Sequence, residues 1–253
     1  MNNEDLKKYW QTIEQLPFNG WDFSYMCNRW RQDELPWSYS RLVREHLSKE
    51  MDLLDMGTGG GELLLTFEHP YHQTTVTEGW RPNYRLLKET LQPLGAKVVF
   101  VAEDDQLKFP KDSFDIVLNS HESYDLTEVS RVLRPGGLFI TQQVGDQNGR
   151  ALSQKLFNNV QRQRIDWSLE TAKKALLKEN FDILFAAESF LAQHFLDMEG
   201  LIYYIKRIPW EYPNFSVETH FEALLDRQKE LCEKGFISNQ QHRFILIGKL
   251  MDL

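Results

Sequence analysis

The sequence predicts an α/β fold, doubly wound, with a mostly parallel sheet. From Met51 onward, short apolar strand-like runs alternate with helical stripes. A glycine turn joins the first of these runs to the helix after it. Hydrophobic residues make up 42% of the 253-residue chain against 26% charged, the balance of a chain that buries a core. Strand–helix alternation implies βαβ units with right-handed crossovers.

Residues 1–50 are expected to hold two helices around an aromatic loop. That loop contains Trp21, Phe23, Tyr25, Trp30, Trp37 and Tyr39, with Arg29 and Arg31 among them. Leu42, Val43 and Leu47 at helical spacing predict a helix from Ser38 to Leu47. Leu53-Leu54-Asp55-Met56 reads as the first core strand. The Thr- and Val-rich stretch Gln73–Glu78 is the second. Leu86, Leu87, Leu91 and Leu94 mark a helix over 84–94, Lys97–Val101 a third strand and Phe114–Asn119 a fourth. Leu126, Val129, Val132 and Leu133 form a helical stripe that stops at Pro135-Gly136-Gly137, and Leu138-Phe139-Ile140-Thr141 begins a fifth strand. Helix is expected across 149–179, strand over Phe181–Phe190, helices over Met198–Ile208 and Val217–Lys234, and a last strand within His242–Leu250. No repeat or linker interrupts the chain, so one domain over 1–253 is expected. Its core would be about 51–190 and 236–253, with lids from residues 1–50 and 191–235.

Acidic residues outnumber basic ones by 37 to 29, for a net charge of −8. A surface built to coat a polyanion has the opposite balance. Cys27 and Cys232 lie far apart without CxxC spacing, which excludes a disulfide framework and a four-ligand zinc site. They read as two buried thiols in a reducing compartment. The acidic N-terminus lacks a signal-peptide pattern, and no run approaches the ~18 apolar residues of a membrane span; a cytoplasmic protein is expected. His69 and His72 flank Pro70-Tyr71 without a third ligand, so no metal is expected.

The segment Leu53-Leu54-Asp55-Met56-Gly57-Thr58-Gly59-Gly60-Gly61-Glu62 carries the most chemical information. Glycine tolerates positive φ and lets backbone amides approach a ligand. A dinucleotide fingerprint would need a glycine where Glu62 stands, and a P-loop would need a lysine that is missing. Asp55 at the start of the turn would repel a pyrophosphate and suit a cation. Glu78 follows Gly57 at about the 20-residue offset at which a carboxylate grips ribose hydroxyls. Glu103 or Asp104, after the third strand, is placed to accept from an adenine amino group.

Together with that turn, two further segments resemble the class I S-adenosylmethionine-dependent methyltransferases, of the type 11-like kind. One is Leu107-Lys108-Phe109-Pro110 followed by Ser113-Phe114-Asp115-Ile116-Val117. The other is Glu128-Val129-Ser130-Arg131-Val132-Leu133-Arg134-Pro135-Gly136-Gly137. The resemblance covers about residues 50–145. It implies a Rossmann-like seven-stranded sheet with its last strand antiparallel, and S-adenosyl-L-methionine as cofactor. It also implies that Asp55 with the Gly57, Thr58, Gly59 and Gly61 backbone holds the methionine end, that Glu78 and Gly79 meet the ribose, and that Glu103 and Asp104 lie near the adenine. Trp80 is placed to cover the adenine face. Asn119 and Ser120 fall where the family puts cofactor and substrate contacts, although the link from Asn119 to Asp125 is shorter than is common there.

The implied reaction is an in-line displacement at a sulfonium methyl. For some acceptors it needs a base. His121 and Glu122, at the C-terminal end of a parallel strand, are the catalytic candidates. The acceptor is expected to be a small molecule, recognised by the aromatic loop and by Tyr203–Trp210. Alternatives are an RNA methyltransferase, with Arg29, Arg31, Arg41 and Arg44 along a groove, and a catalytically silent cofactor-binding protein.

Overall fold

A computed structural model describes residues 2–18, 23–102, 106–157 and 166–252. Its strands are β1 (Trp30–Gln32), β2 (Leu53–Met56), β3 (Thr74–Glu78), β4 (Lys97–Phe100), β5 (Phe114–Ser120), β6 (Leu133–Val144), β7 (Phe181–Phe195) and β8 (Ile237–Leu250). Its helices are α1 (Asn3–Glu14), α2 (Tyr39–His46), α3 (Glu62–Leu65), α4 (Arg81–Thr90), α5 (Leu126–Val132), α6 (Arg150–Leu156), α7 (Leu169–Lys178), α8 (Met198–Arg207) and α9 (Phe221–Lys234).

The chain divides into two compact units. The first comprises Pro36–Gly145, Trp167–Glu188 and Arg243–Leu253; the second comprises Met1–Leu35, Asp146–Asp166 and Ser189–His242. The division at 188/189 lies beside the expected boundary near 190, those at 35/36 and 242/243 are displaced from 50 and 236, and β7 and β8 each contribute residues to both units.

In the first unit the strand order is β7-β8-β6-β5-β2-β3-β4. Strands β4, β3, β2, β5 and β6 pair in parallel, and β8 runs antiparallel to β6. The expected architecture is therefore present. The order reverses direction at β2, whose neighbours are β3 and β5, and in open α/β sheets ligands bind outside the carboxyl ends of strands at such a switch point. Alternation of side chains along each strand divides the apolar residues between two faces. Leu53, Ile116, Leu118, Ile140, Ile245 and Ile247 pack with Tyr39 and Val43 of α2. Val117, Phe139, Phe244 and Leu246 pack with Val129 and Val132 of α5 and with Ala172 and Leu176 of α7.

Strand β6 begins at Leu133, five residues earlier than expected, and carries Pro135-Gly136-Gly137 inside it. The register with β5 shifts between Phe114 and Ile116, so these residues form an irregularity in the strand. Gly136 sits at φ 76°. A Cβ on Gly137 would lie 2.8 Å from the Arg134 carbonyl. The expected helix over 149–179 is α6 and α7; residues 158–165 lie outside the described residues.

The second unit has its own core, in which Trp10 and Ile13 of α1, Leu152 of α6, Leu201–Ile205 of α8 and Leu224 of α9 meet. Aromatic rings from the two segments expected as lids pack within it. Tyr25 and Tyr203 lie 4.5 Å apart, Trp30 and Tyr204 5.7 Å, and Phe195 and Tyr204 5.1 Å. Trp210 is 60% exposed, and Trp21 falls outside the described residues. Strand β1 pairs antiparallel with Gln193–Phe195 of β7. The Asp197 side chain accepts from the Gly200 amide at the start of α8 and meets Arg29 Nη1 at 2.6 Å. The cysteines correct the sequence expectation, because both thiols are exposed. Met26, beside Cys27, takes the inward position, and Leu231, beside Cys232, packs against the core. Among the described residues no helix is long and apolar enough to cross a membrane.

Candidate active site

Strand β2 ends at Met56, and the glycine turn that follows is tied to the end of β3. The Thr58 amide donates to the Thr77 carbonyl at 3.1 Å, and the Gly57 amide to Thr77 Oγ1 at 3.4 Å. Gly57, Gly59 and Gly61 all have positive φ, at 62°, 65° and 91°, a region open to glycine at little cost. Gly61 caps the short helix α3. Their surroundings differ. A Cβ at Gly57 would lie 2.5 Å from Cγ and Oε2 of Glu122, whereas one at Gly59 would meet nothing within 4 Å among the described residues. The open side of the turn is therefore at Gly59, and the Glu122 side chain lies against Gly57.

Glu78 closes the far side. Its Oε2 accepts from the Gly59 amide at 3.0 Å and its Oε1 from the Trp80 amide at 2.7 Å. Each carboxylate oxygen keeps a second lone pair for a hydroxyl. Gly79 has a packing reason to be glycine, since a Cβ there would stand 2.8 Å from the Val101 carbonyl. The Trp80 side chain is 47% exposed. Glu103 and Asp104 lie outside the described residues.

Asp55 is only 7% exposed. Burial pushes its pKa up to about 7, opposed by a hydrogen bond with Thr58. Tyr39 of α2 is buried on the same face of the sheet. Its hydroxyl lies 3.3 Å from the Asn119 carbonyl and 3.4 Å from that of Ile140. Burial, with Asp55 nearby, raises its pKa.

The end of β5 separates the other candidates. Asn119 is fully buried and committed to β6: its Oδ1 accepts from Gln143 Nε2 at 2.7 Å and from Thr141 Oγ1 at 3.4 Å. Its pairing with Thr141 places it on the face opposite Asp55, which pairs with Leu118. Ser120 shares the Asp55 face, and its Oγ accepts from Gln142 Nε2 at 2.9 Å. His121 sits at φ 68° with its amide donating to the Gln142 carbonyl. The residue as a whole is exposed, yet the protein around its ring, through desolvation and then Arg243, pushes its pKa down to about 4. The Glu122 carbonyl accepts from Gln143 Nε2 at 3.0 Å. Asp55, Gly57, Thr58, Gly59, Gly61, Glu78 and Glu122 thus surround one turn. Ser120 and His121 stand at the neighbouring strand end.

The methyltransferase-domain family profile matches residues 54–141, the stretch that builds this turn and the strands on either side. Over that stretch, about a third of its length, the chain is similar to methyltransferase domains. No curated protein matches it. Solved structures support the fold. A Bacillus halodurans protein assigned as a methyltransferase aligns with a TM-score of 0.57 at 15% identity, over 85% of this chain and 99% of its own. The YcgJ protein of Bacillus subtilis aligns with a TM-score of 0.55 at 17% identity, over 85% and 99%. A chain from the Haloferax volcanii complex containing the Trm112 methyltransferase activator aligns with a TM-score of 0.53 at 14% identity, over 100% and 99%.

The Glu128–Arg131 pair within the matched stretch has a physical role. Arg131 donates to the Leu107 and Phe109 carbonyls, each at 2.7 Å, and Glu128 Oε2 accepts from the Leu107 amide at 2.8 Å. The pair pins the chain after β4, and the Arg131 side chain beside it holds the Glu128 carboxyl below its usual range. The residues present suit S-adenosylmethionine. A turn open at Gly59 admits a ligand, Glu78 offers lone pairs to a diol, and a buried Asp55 gains a counter-ion when a cation binds. Sequence reasoning missed Gln142 and Gln143 as parts of this region, and it placed Tyr39 in the aromatic loop expected to meet the acceptor rather than beside Asp55. The one signal available was the polar pair Gln142-Gln143 inside an otherwise apolar strand.

Proposed function

We propose that this methyltransferase domain binds S-adenosylmethionine through Asp55, the glycine turn, Glu78 and Glu122, and transfers its methyl group to a small-molecule acceptor. The observation that carries the reading is the turn itself: three left-handed glycines, one open side and carboxylates at both ends. Carboxylates there disfavour a phosphate and favour a cationic nucleoside. The net charge of −8 speaks against a polyanionic acceptor.

The bound cofactor supplies an electrophilic methyl on a positively charged sulfur. The chain's residues do the rest by alignment and charge placement. Asp55, ionised when a cation arrives, holds the ligand at the end of β2. Glu78 accepts from hydroxyls while its backbone hydrogen bonds fix its orientation. Trp80 offers an exposed ring face for a planar base. With its pKa near 4, His121 is neutral at pH 7 and a weak proton acceptor. Its assigned role is therefore to receive a hydrogen bond from the acceptor rather than to remove a proton in advance.

The test is calorimetry with S-adenosylmethionine and S-adenosylhomocysteine, followed by transfer of label from the cofactor into a metabolite extract and, separately, into extracted RNA. Binding that Asp55→Ala or Glu78→Ala weakens at least tenfold supports the cofactor site. Unchanged affinity in both variants would sink it. Label in RNA alone would reassign the acceptor, and binding without label in either would leave a silent cofactor-binding protein.

A further inference from the structure

Gln142 stands near the end of β6, in register with Ser120 of β5 and Ile245 of β8. Partners in register share a face, and residues two apart on a strand do too. Asp55, Leu118, Ser120, Ile140 and Gln142 therefore line one side of the sheet at the carboxyl ends of β2, β5 and β6. Two inter-strand spacings of ~4.8 Å separate β2 from β6, and Gln142 stands two residues, roughly 7 Å, beyond the row of Asp55, so the two backbone positions lie roughly 12 Å apart. Tyr39 lies between them. Its hydroxyl reaches the Ile140 carbonyl, two residues before Gln142, and its phenol responds to the Asp55 charge.

The Gln142 side chain is 8% exposed. Its amide nitrogen donates to Ser120 Oγ at 2.9 Å, which ties the group to β5. Its Oε1 is buried with no hydrogen-bond partner among the described residues. A buried acceptor left unmatched is costly, and such a group in a native fold calls for an explanation. An apolar residue of similar shape would avoid the cost. Leu118 and Ile140, on the same face, show that apolar residues suit it.

We propose that Gln142 is the acceptor-positioning residue of this methyltransferase domain: its Oε1 accepts a hydrogen bond from the N–H or O–H of the nucleophile, so the substrates are amines or hydroxyl compounds that carry their own proton. The inference rests on the cofactor reading above. In the reaction, a lone pair on the nitrogen or oxygen forms the bond to the methyl carbon. The sulfur–methyl bond breaks with its electron pair retained by sulfur, and one proton passes from the acceptor to solvent. The Gln142 carbonyl orients the lone pair before transfer and stabilises the increasingly acidic N–H or O–H as charge develops. A thioether or a tertiary amine has no proton to offer and gains nothing from this group. Ser120 acts through Gln142 by holding the amide.

The test uses the full chain with Gln142→Leu, Gln142→Glu and Ser120→Ala. Three readouts are needed: thermal unfolding, calorimetric affinity for S-adenosylhomocysteine, and transfer of label from S-adenosylmethionine into extract compounds sorted as primary and secondary amines, hydroxyl compounds, tertiary amines and thioethers. Gln142→Leu is expected to unfold no earlier than the wild type, to bind S-adenosylhomocysteine within twofold, and to lose at least fivefold of the label entering amines or hydroxyl compounds. Gln142→Glu keeps an acceptor oxygen and should recover part of that transfer. Ser120→Ala should raise the KM for the acceptor more than it lowers kcat. Equal labelling by wild type and Gln142→Leu would overturn the proposal, because the orphaned oxygen would then be served by a buried water. Earlier unfolding of Gln142→Leu together with weaker cofactor binding would assign the residue to structure and overturn it also. Label confined to thioethers or tertiary amines would exclude the protic acceptor while leaving the cofactor reading intact. A wild-type chain that fails to bind S-adenosylhomocysteine, or binds it and labels nothing, would remove the methyl-transfer reading itself and this role with it.

Discussion

At the scale of single residues, Asp55 sets the strongest expectation. Its pKa rises from the ordinary carboxylate range to about 7 because burial penalises the charge. A carboxyl raised in the folded state stabilises the fold at pH below its ordinary value, near 3.8, and that stability is lost as pH rises through about 7. Asp55→Asn should therefore raise the melting temperature of the unliganded protein at pH 8 and change it little at pH 4, as calorimetric scans would read. A cationic ligand favours the ionised form, so S-adenosylmethionine should bind more weakly as pH falls below about 7, by up to about tenfold per unit. The asparagine variant should bind weakly with a flat profile in that range. Gly57→Ala meets two obstacles at once. Its φ of 62° costs a residue with a Cβ about 1–2 kcal/mol, and the Glu122 side chain occupies the place that Cβ would take. The expected result is a lower melting temperature together with lost cofactor affinity, whereas Gly59→Ala, with open space around it, should hold the fold better.

At the scale of elements, caps and irregularities give measurable quantities. Helix α7 starts with a reciprocal cap, Ser168 Oγ accepting from the Thr171 amide and Thr171 Oγ1 accepting from the Ser168 amide at 2.9 Å. Ser168→Ala should cost about 1 kcal/mol in chemical denaturation. Arg131→Met removes both bonds to the chain after β4 and leaves Glu128 without its cation. About 1–2 kcal/mol of stability should go, given the partial exposure of the pair. Most elements were legible in the sequence because each carries its own period: the 53–56, 74–78, 97–100 and 114–120 strands fall within one or two residues of the reading. The start of β6 was not legible. Pro135-Gly136-Gly137 reads locally as a stop, and only pairing of Leu133 with Phe114 makes it part of a strand. Asn119 illustrates the same limit for the site. Its place in the sequence is that of a ligand contact, but strand parity turns its side chain toward Gln143 and Thr141. That Asp55, Glu78 and the glycines meet at one turn was readable because strand ends and local spacing bring them there. Gln142 depends on register between strands distant in sequence, and Tyr39 on where α2 packs against the sheet.

At the scale of the whole molecule, the chain passes between its two units at 35/36, 145/146, 166/167, 188/189 and 242/243. No single cut releases either unit intact. A fragment of residues 36–145 lacks β7, β8 and α7, and with them Phe244, Leu246, Ala172 and Leu176 from the core around Phe139. Such a fragment should lack cooperative unfolding and resolved amide resonances even though it contains nearly all the family motifs. The aromatic content, most of which the sequence left without a role, has a physical account in the second unit, where Tyr203, Tyr204 and Phe195 form its interior. The cysteines have a practical consequence. Cys27 and Cys232 both belong to the second unit and both are exposed, so the native protein should titrate two thiols with a chromogenic disulfide reagent. The first unit holds no sulfhydryl at all. A fluorophore coupled through maleimide chemistry would therefore mark one half of the molecule and leave the glycine turn chemically untouched, a site-selective reporter already written into the natural chain.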